Sequence, residues 1–109
     1  HYGAGDEYRP HYDYFDPQVA GRDIPLSRGG QRLATFMIYL SGVAAGGQTR
    51  FPETGLTIDP TPGMGVLFFN VHPDGELDPA SLHAGLPVEQ GRKWLATRWI
   101  REHVYTGTV

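Results

Sequence analysis

Four side chains carry the chemistry available to this chain: His11, Asp13, His83 and Lys93. His11 and Asp13 stand two apart in the run Pro10-His11-Tyr12-Asp13-Tyr14-Phe15. His83 lies far downstream in Ser81-Leu82-His83-Ala84-Gly85, and Lys93 is the only lysine in the sequence. Two imidazoles and one carboxylate can hold one face of an Fe(II) ion and leave the other face open. A lone ammonium a short way past the second histidine can then anchor a dicarboxylic co-substrate.

The elements must put these groups together. On a strand, side chains alternate between faces with a period of two, so a His-x-Asp pair lies on one face. Such pairs are common on solvated surfaces, but the Tyr and Phe around this one place it at the rim of a core. The third ligand comes from His1, His72, His83 or His103. His1 and His103 lie near the ends, where chains fray. His72 sits in a Pro, Asp and Gly loop that orients it poorly, whereas His83 opens an apolar strand and is favoured. Lys93, Leu95, Thr97, Trp99 and Arg101 share parity, and therefore one face of the last strand. If a hairpin turn centres near Gln90, His83 pairs close to Thr97. Lys93 then lies roughly 13 Å along the strand, a gap that an extended five-carbon diacid and a lysine side chain bridge.

Fifteen glycines and nine prolines interrupt the chain too often for long helices. The runs between them are rich in Phe, Tyr, Val, Ile and Thr, which reads as all-β. Strands are expected over residues 2–8, 10–15, 32–41, 49–51, 56–59 and 65–70, with 83–88 and 93–102 as a closing hairpin. The segment 32–41 reads as the most buried strand, apolar on both faces, and 65–70 as a second core strand. Gly46-Gly47 turns the chain. Residues 16–31 form a loop long for a compact domain, of the kind that serves as a lid or binding loop, and 70–82 form a second polar loop. About eight short antiparallel strands with frequent turns is the count of a double-sheet jelly roll.

The bulk properties exclude several classes. At 109 residues the chain is a single domain, 1–109, with 39% hydrophobic and 19% charged residues. No apolar run approaches the ~20 residues of a membrane span, and no signal-peptide pattern opens the sequence. A net charge of −3 and a pI near 5.9, with arginines scattered, argue against a nucleic-acid partner. The absence of cysteine excludes disulfides, thiolate zinc sites, cysteine-ligated iron-sulfur clusters and a cysteine nucleophile. It leans towards a cytoplasmic enzyme of bacterial type, with the endoplasmic reticulum lumen as the alternative.

A longer set of residues then falls into one order. Tyr2-x-x-Gly5-x-x-Tyr8-x-Pro10-His11-Tyr12-Asp13-Tyr14-Phe15 is followed by Gly29-Gly30-Gln31-Arg32-x-x-Thr35, Tyr39-Leu40 and Gly46-Gly47-x-Thr49. Pro73-Asp74-Gly75, Ser81-Leu82-His83 and Lys93-Trp94-x-Ala96-Thr97-x-Trp99-Ile100 complete it. Together they resemble the catalytic domain of prolyl 4-hydroxylases, which are Fe(II)/2-oxoglutarate dioxygenases.

The resemblance implies an antiparallel double-stranded β-helix, here a partial domain without the helical part that precedes the barrel in the family. It implies His11, Asp13 and His83 as metal ligands for Fe(II). Lys93 would bind the distal carboxylate of 2-oxoglutarate, with Tyr2 and Thr49 as hydrogen-bonding partners. Arg32 and Trp99 match positions that face the peptidyl proline, and Arg101 stands where some relatives have a histidine near the substrate. The implied reaction hydroxylates proline at C4 in a peptide or protein with O2, while 2-oxoglutarate is decarboxylated to succinate and CO2; ascorbate rescues uncoupled turnovers. The alternatives are the same chemistry on a free amino acid or another protein side chain, motivated by Arg101 with Arg22 and Arg28, and a jelly-roll module that binds without turnover.

Overall fold

The computed structural model describes residues 1–18 and 29–103. Nine strands and one 3-10 turn are present among them. The strands are β1 (Tyr8–His11), β2 (Arg32–Tyr39), β3 (Ala45–Gly46), β4 (Thr49–Phe51), β5 (Leu56–Ile58), β6 (Gly65–Phe69), β7 (His83–Gly85), β8 (Val88–Gln90) and β9 (Leu95–Arg101). They form a four-stranded sheet ordered β1-β7-β4-β5, a three-stranded sheet ordered β6-β2-β9, and the two-stranded pair β3-β8. Every pairing is antiparallel. This is the expected all-β jelly roll.

The two larger sheets face each other, and the contacts across the gap define the core. The Tyr39 hydroxyl on β2 meets Thr49 Oγ1 on β4 at 2.6 Å. Phe51 on β4 packs edge-on against Phe68 on β6, with ring centroids 5.0 Å apart. Strand alternation sorts β2 accordingly, with Thr35, Met37 and Tyr39 buried inward and Phe36 exposed outward. Thus β2 is not apolar on both faces in function: its inner face carries a hydroxyl, a thioether and a phenol. The edge strand β6 belongs to the core on one face only, through Phe68. It pairs only with β2 at the sheet edge, and Leu67 and Phe69 project outward and are exposed.

Three further expectations give way. Asp13 is not in a strand, because β1 ends at His11 where its pairing with β7 runs out, and Asp13 falls in the bend that follows. Residues 2–8 hold only an isolated bridge, Tyr2 to Lys93, before β1 begins. The closing hairpin is absent: β7 pairs with β1 and β4, β8 with β3, and β9 with β2. Jelly-roll connections pass from one sheet to the other, so His83 and Thr97 are opposed across the sandwich and not paired along a hairpin. Most of the expected loop over residues 16–31 lies outside the described residues.

Candidate active site

The register of β1 against β7 pairs His11 directly with His83. Each imidazole is oriented by the carbonyl two residues before it: His11 Nδ1 lies 2.8 Å from Arg9 O, and His83 Nδ1 lies 2.8 Å from Ser81 O. Because carbonyls only accept, both Nδ1 atoms carry the proton and both Nε2 atoms offer a lone pair. Those Nε2 atoms lie 3.4 Å (His11) and 3.6 Å (His83) from the same oxygen, Asp13 Oδ1. All three candidate ligand atoms lie within 4.8 Å of one another. Metal bonds of ~2.1 Å set neighbouring ligand atoms ~3 Å apart, so this slightly wider triangle fits an ion seated among them.

The charge state fits as well. Burial alone would raise the Asp13 pKa, but the approaches of His11, His83, Thr35 and Trp99 outweigh it and bring the carboxyl down to about 2. Burial lowers the pKa of His83, with the Ser81 carbonyl and Asp13 opposing and His11 reinforcing the shift. Neutral imidazole beside an ionised carboxylate is the state a metal ion requires.

Two cavities meet at His11 and Asp13. The inner one, ≈ 190 Å³, is walled by His11, Asp13, His83, Met37, Thr97 and Trp99 and reaches Thr49, Tyr2 and Lys93. Lys93 is 2% exposed; its Nζ donates to Gly47 O at 3.0 Å and lies 5.0 Å from the centre of the Tyr2 ring. Desolvation lowers its pKa. Gly47, at φ +74, makes room: a Cβ there would stand 3.3 Å from Lys93 Cδ. The outer cavity, ≈ 330 Å³, is lined by Tyr12, Tyr14, Phe15 and Arg32, and shares Tyr8, His11, Asp13 and Trp99 with the inner one. Tyr12 and Tyr14 stack at 4.6 Å, and Arg32 is sandwiched 4.6 Å from the Phe15 ring and 3.7 Å from Trp99.

Residues 1–101 match the family model described as the 2OG-Fe(II) oxygenase superfamily. The chain belongs to this superfamily. It is 40% identical over 124 residues to the probable prolyl 4-hydroxylase 10 of Arabidopsis thaliana, covering 96% of this chain and 41% of that protein. It is 39% identical to prolyl 4-hydroxylase 5 of the same plant, with the same coverage. The viral collagen prolyl hydroxylase of Paramecium Bursaria Chlorella virus-1, solved as its 2OG complex, superposes with a TM-score of 0.77 at 38% identity, covering 92% of this chain and 54% of that one. The chain therefore spans about two fifths of the length of the curated relatives it matches.

Within this member of the superfamily the structure brings together His11, Asp13, His83, Lys93, Tyr2, Thr49, Arg32 and Trp99 around the two cavities. Arg101 stands apart, its guanidinium 5.2 Å from the Phe15 ring and its Nη2 donating to Gly30 O at 2.9 Å. His72 is half exposed and pairs with Asp78 at 3.6 Å, while His1 packs on Trp94. Shared parity did place Lys93, Leu95, Thr97 and Trp99 on one cavity wall, although Lys93 precedes β9. Sequence reasoning missed Tyr8, which stacks 3.9 Å from the His11 ring, and the roles of Tyr39 and Asn70. The signal for Tyr39 was available, since it shares parity with Thr35 in an otherwise apolar strand. None existed for Asn70.

Proposed function

We propose that this chain is the catalytic domain of an Fe(II)- and 2-oxoglutarate-dependent hydroxylase acting on C4 of proline in a peptide or protein. The observation that carries the reading is the position of the triad. His11 and Asp13 line both a cavity that ends at a buried ammonium and an adjoining aromatic groove, and His83 lines the first of these. An ion held by them would border both spaces.

Fe(II) and 2-oxoglutarate, when bound, supply the oxidising chemistry: O2 is consumed, 2-oxoglutarate becomes succinate and CO2, and one oxygen atom enters a substrate C–H bond. The remaining work belongs to the chain. The two Nε2 atoms and Asp13 Oδ1 would hold the ion through three protein ligands. Lys93, with the Tyr2 and Thr49 hydroxyls, offers cation and donors for the far carboxylate of the diacid, and the buried setting strengthens that pairing. Apolar Met37 and Leu95 line the space between.

The groove supports a proline-rich substrate. Stacked Tyr12 and Tyr14 beside Trp99 form the flat aromatic surface on which extended, proline-containing chains dock. The prolyl hydroxylases among the relatives support the same substrate class. With the full-length protein, Fe(II), ascorbate and a panel of proline-containing peptides, succinate should form faster with peptide than without, and a product proline should gain one oxygen by mass spectrometry. A panel in which free proline alone stimulates turnover would replace the substrate claim, and no succinate under any condition would leave a binding module.

A further inference from the structure

The metal-site reading leaves two fully buried polar side chains without a role, Thr35 and Asn70, both at 0% exposure. They are connected. Asn70 Nδ2 donates to Thr35 Oγ1 at 3.0 Å, and the Thr35 hydroxyl donates to Asp13 Oδ2 at 2.8 Å. The Trp99 indole Nε1 donates to the same Oδ2 from further away, at 3.4 Å. We infer that Asn70 and Thr35 form a positioning relay that clamps one oxygen of Asp13 and thereby aims the other at the metal, an inference that rests on His11, Asp13 and His83 being the metal ligands.

Direction along the relay is fixed by what each group can do. An ionised carboxylate only accepts, so the single hydroxyl proton of Thr35 is committed to Asp13. Its lone pairs are then open, and the Asn70 amide must present Nδ2 rather than Oδ1. The structure agrees, because Asn70 Oδ1 is buried and meets no donor among the described residues.

The geometry at Asp13 shows what is gained. Asp13 lies in a bend beyond the end of β1, so no sheet pairing holds its backbone in register with His11 and His83. Oδ1 is the oxygen near both Nε2 atoms, and Oδ2 is the one near Thr35 and Trp99. Engaging Oδ2 from the facing sheet makes Asp13 a one-oxygen ligand with a set rotation. Thr35 stands in the middle of β2, paired to Phe68 on one side and Trp99 on the other, so the clamp is mounted on the best-anchored strand of the molecule.

The test reads metal binding without turnover. Co(II) is titrated anaerobically into the full-length protein and followed by its ligand-field absorption, which reports affinity and geometry together. Thr35→Val keeps the shape and removes the hydroxyl; affinity should fall about 10- to 100-fold, the usual effect of losing a partner of a metal ligand. Thr35→Ser restores the hydroxyl and should recover affinity to within about threefold, which a packing role for the Thr35 methyl would not produce. His83→Ala should abolish binding. Wild-type affinity in Thr35→Val, with binding lost in His83→Ala, would overturn the relay and leave the metal site standing. Unchanged binding in His83→Ala would overturn the site itself. If Thr35→Val does not melt cooperatively, Asn70→Ala decides: a several-fold weaker Co(II) affinity with altered absorption supports the relay, and wild-type behaviour refutes it.

Discussion

Lys93 offers the sharpest test of how this site trades stability for binding. Its ammonium is buried, and among the described residues its polar contact is one carbonyl, Gly47 O at 3.0 Å, with no carboxylate in reach. Replacing it with Met keeps most of the aliphatic stem against Gly47. The variant loses one charged hydrogen bond, worth about 1.5–3 kcal/mol. It also escapes a desolvation penalty of several kcal/mol that the lone carbonyl only partly offsets. The ligand-free protein should therefore gain on the order of 1 kcal/mol, raising its melting temperature by about 4–8 °C.

Ligand binding moves the other way. The distal carboxylate of 2-oxoglutarate loses a desolvated ion-pair partner, a cost of about 2–5 kcal/mol. This corresponds to roughly 30- to several thousand-fold in Kd. Linkage gives a second readout. Because burial lowers the Lys93 pKa, the unfolded chain binds the proton more tightly between that lowered value and the ordinary 10.5. Wild-type stability should accordingly rise with pH across that window, and Lys93→Met should lack the rise. Calorimetry of 2-oxoglutarate binding and thermal melts against pH measure all three effects. Binding of 2-oxoglutarate to Lys93→Met within threefold of wild type would refute the assigned role, and a melting temperature lowered by several degrees would refute the desolvation argument.

Three further expectations follow from the same geometry. In the metal-free protein the Asp13 carboxyl, held at about 2 against an ordinary 3.8, contributes about 2 kcal/mol that is fully present above pH 4 and lost as pH falls through 2; acid melts of Asp13→Asn should lack that portion of the slope, and a slope equal to wild type would count against it. Tyr39→Phe frees the Thr49 hydroxyl from its 2.6 Å partner; it should cost about 1 kcal/mol of stability and weaken 2-oxoglutarate several-fold while leaving metal affinity unchanged, so an equal loss of metal affinity would contradict the separation of the two sites. Gly46→Ala forces a side chain onto φ +79 with its Cβ 2.7 Å from Glu89 N and against the Pro87 carbonyl; it should break the β3–β8 pairing and lower stability by about 2 kcal/mol or more, and a melt indistinguishable from wild type would exclude that strain.

The sequence was most legible where chemistry and strand period coincide. The metal candidates and Lys93 are unusual residue types with fixed donor atoms, and the parity of Lys93, Leu95, Thr97 and Trp99 survived into the structure because alternation is local. Pairing was another matter. The hairpin expected around Gln90 relied on adjacency in sequence, whereas the jelly roll sends β7, β8 and β9 to three different sheets. A hydrophobicity pattern carries no information on which sheet a short strand joins. Reading residues 65–70 as a core strand holds for one face only: Phe68 packs on Phe51 and His83, whereas Leu67 and Phe69 have the types of buried residues but face outward, and only the sheet order reveals it. Asn70 lies beyond local inference altogether, since its role depends on a contact to Thr35 across paired strands.

These failures share a cause with the way the site is built. The ligands His11 and His83 sit on β1 and β7 of one sheet, but the groups that aim their neighbours sit on β2 of the other. Thr35 reaches Asp13, and Tyr39 reaches Thr49; both lie on the inward face of one strand, at positions that share parity. A slip of β2 by one residue would turn both outward and bring Ala34, Phe36 and Ile38 into the gap. The metal site and the diacid pocket would then fail together while every ligand kept its place in sequence. The register of β2, fixed by β6 on one side and β9 on the other, is therefore as much a condition for chemistry as the triad itself, and substitutions that loosen those pairings should impair both binding events without touching either site.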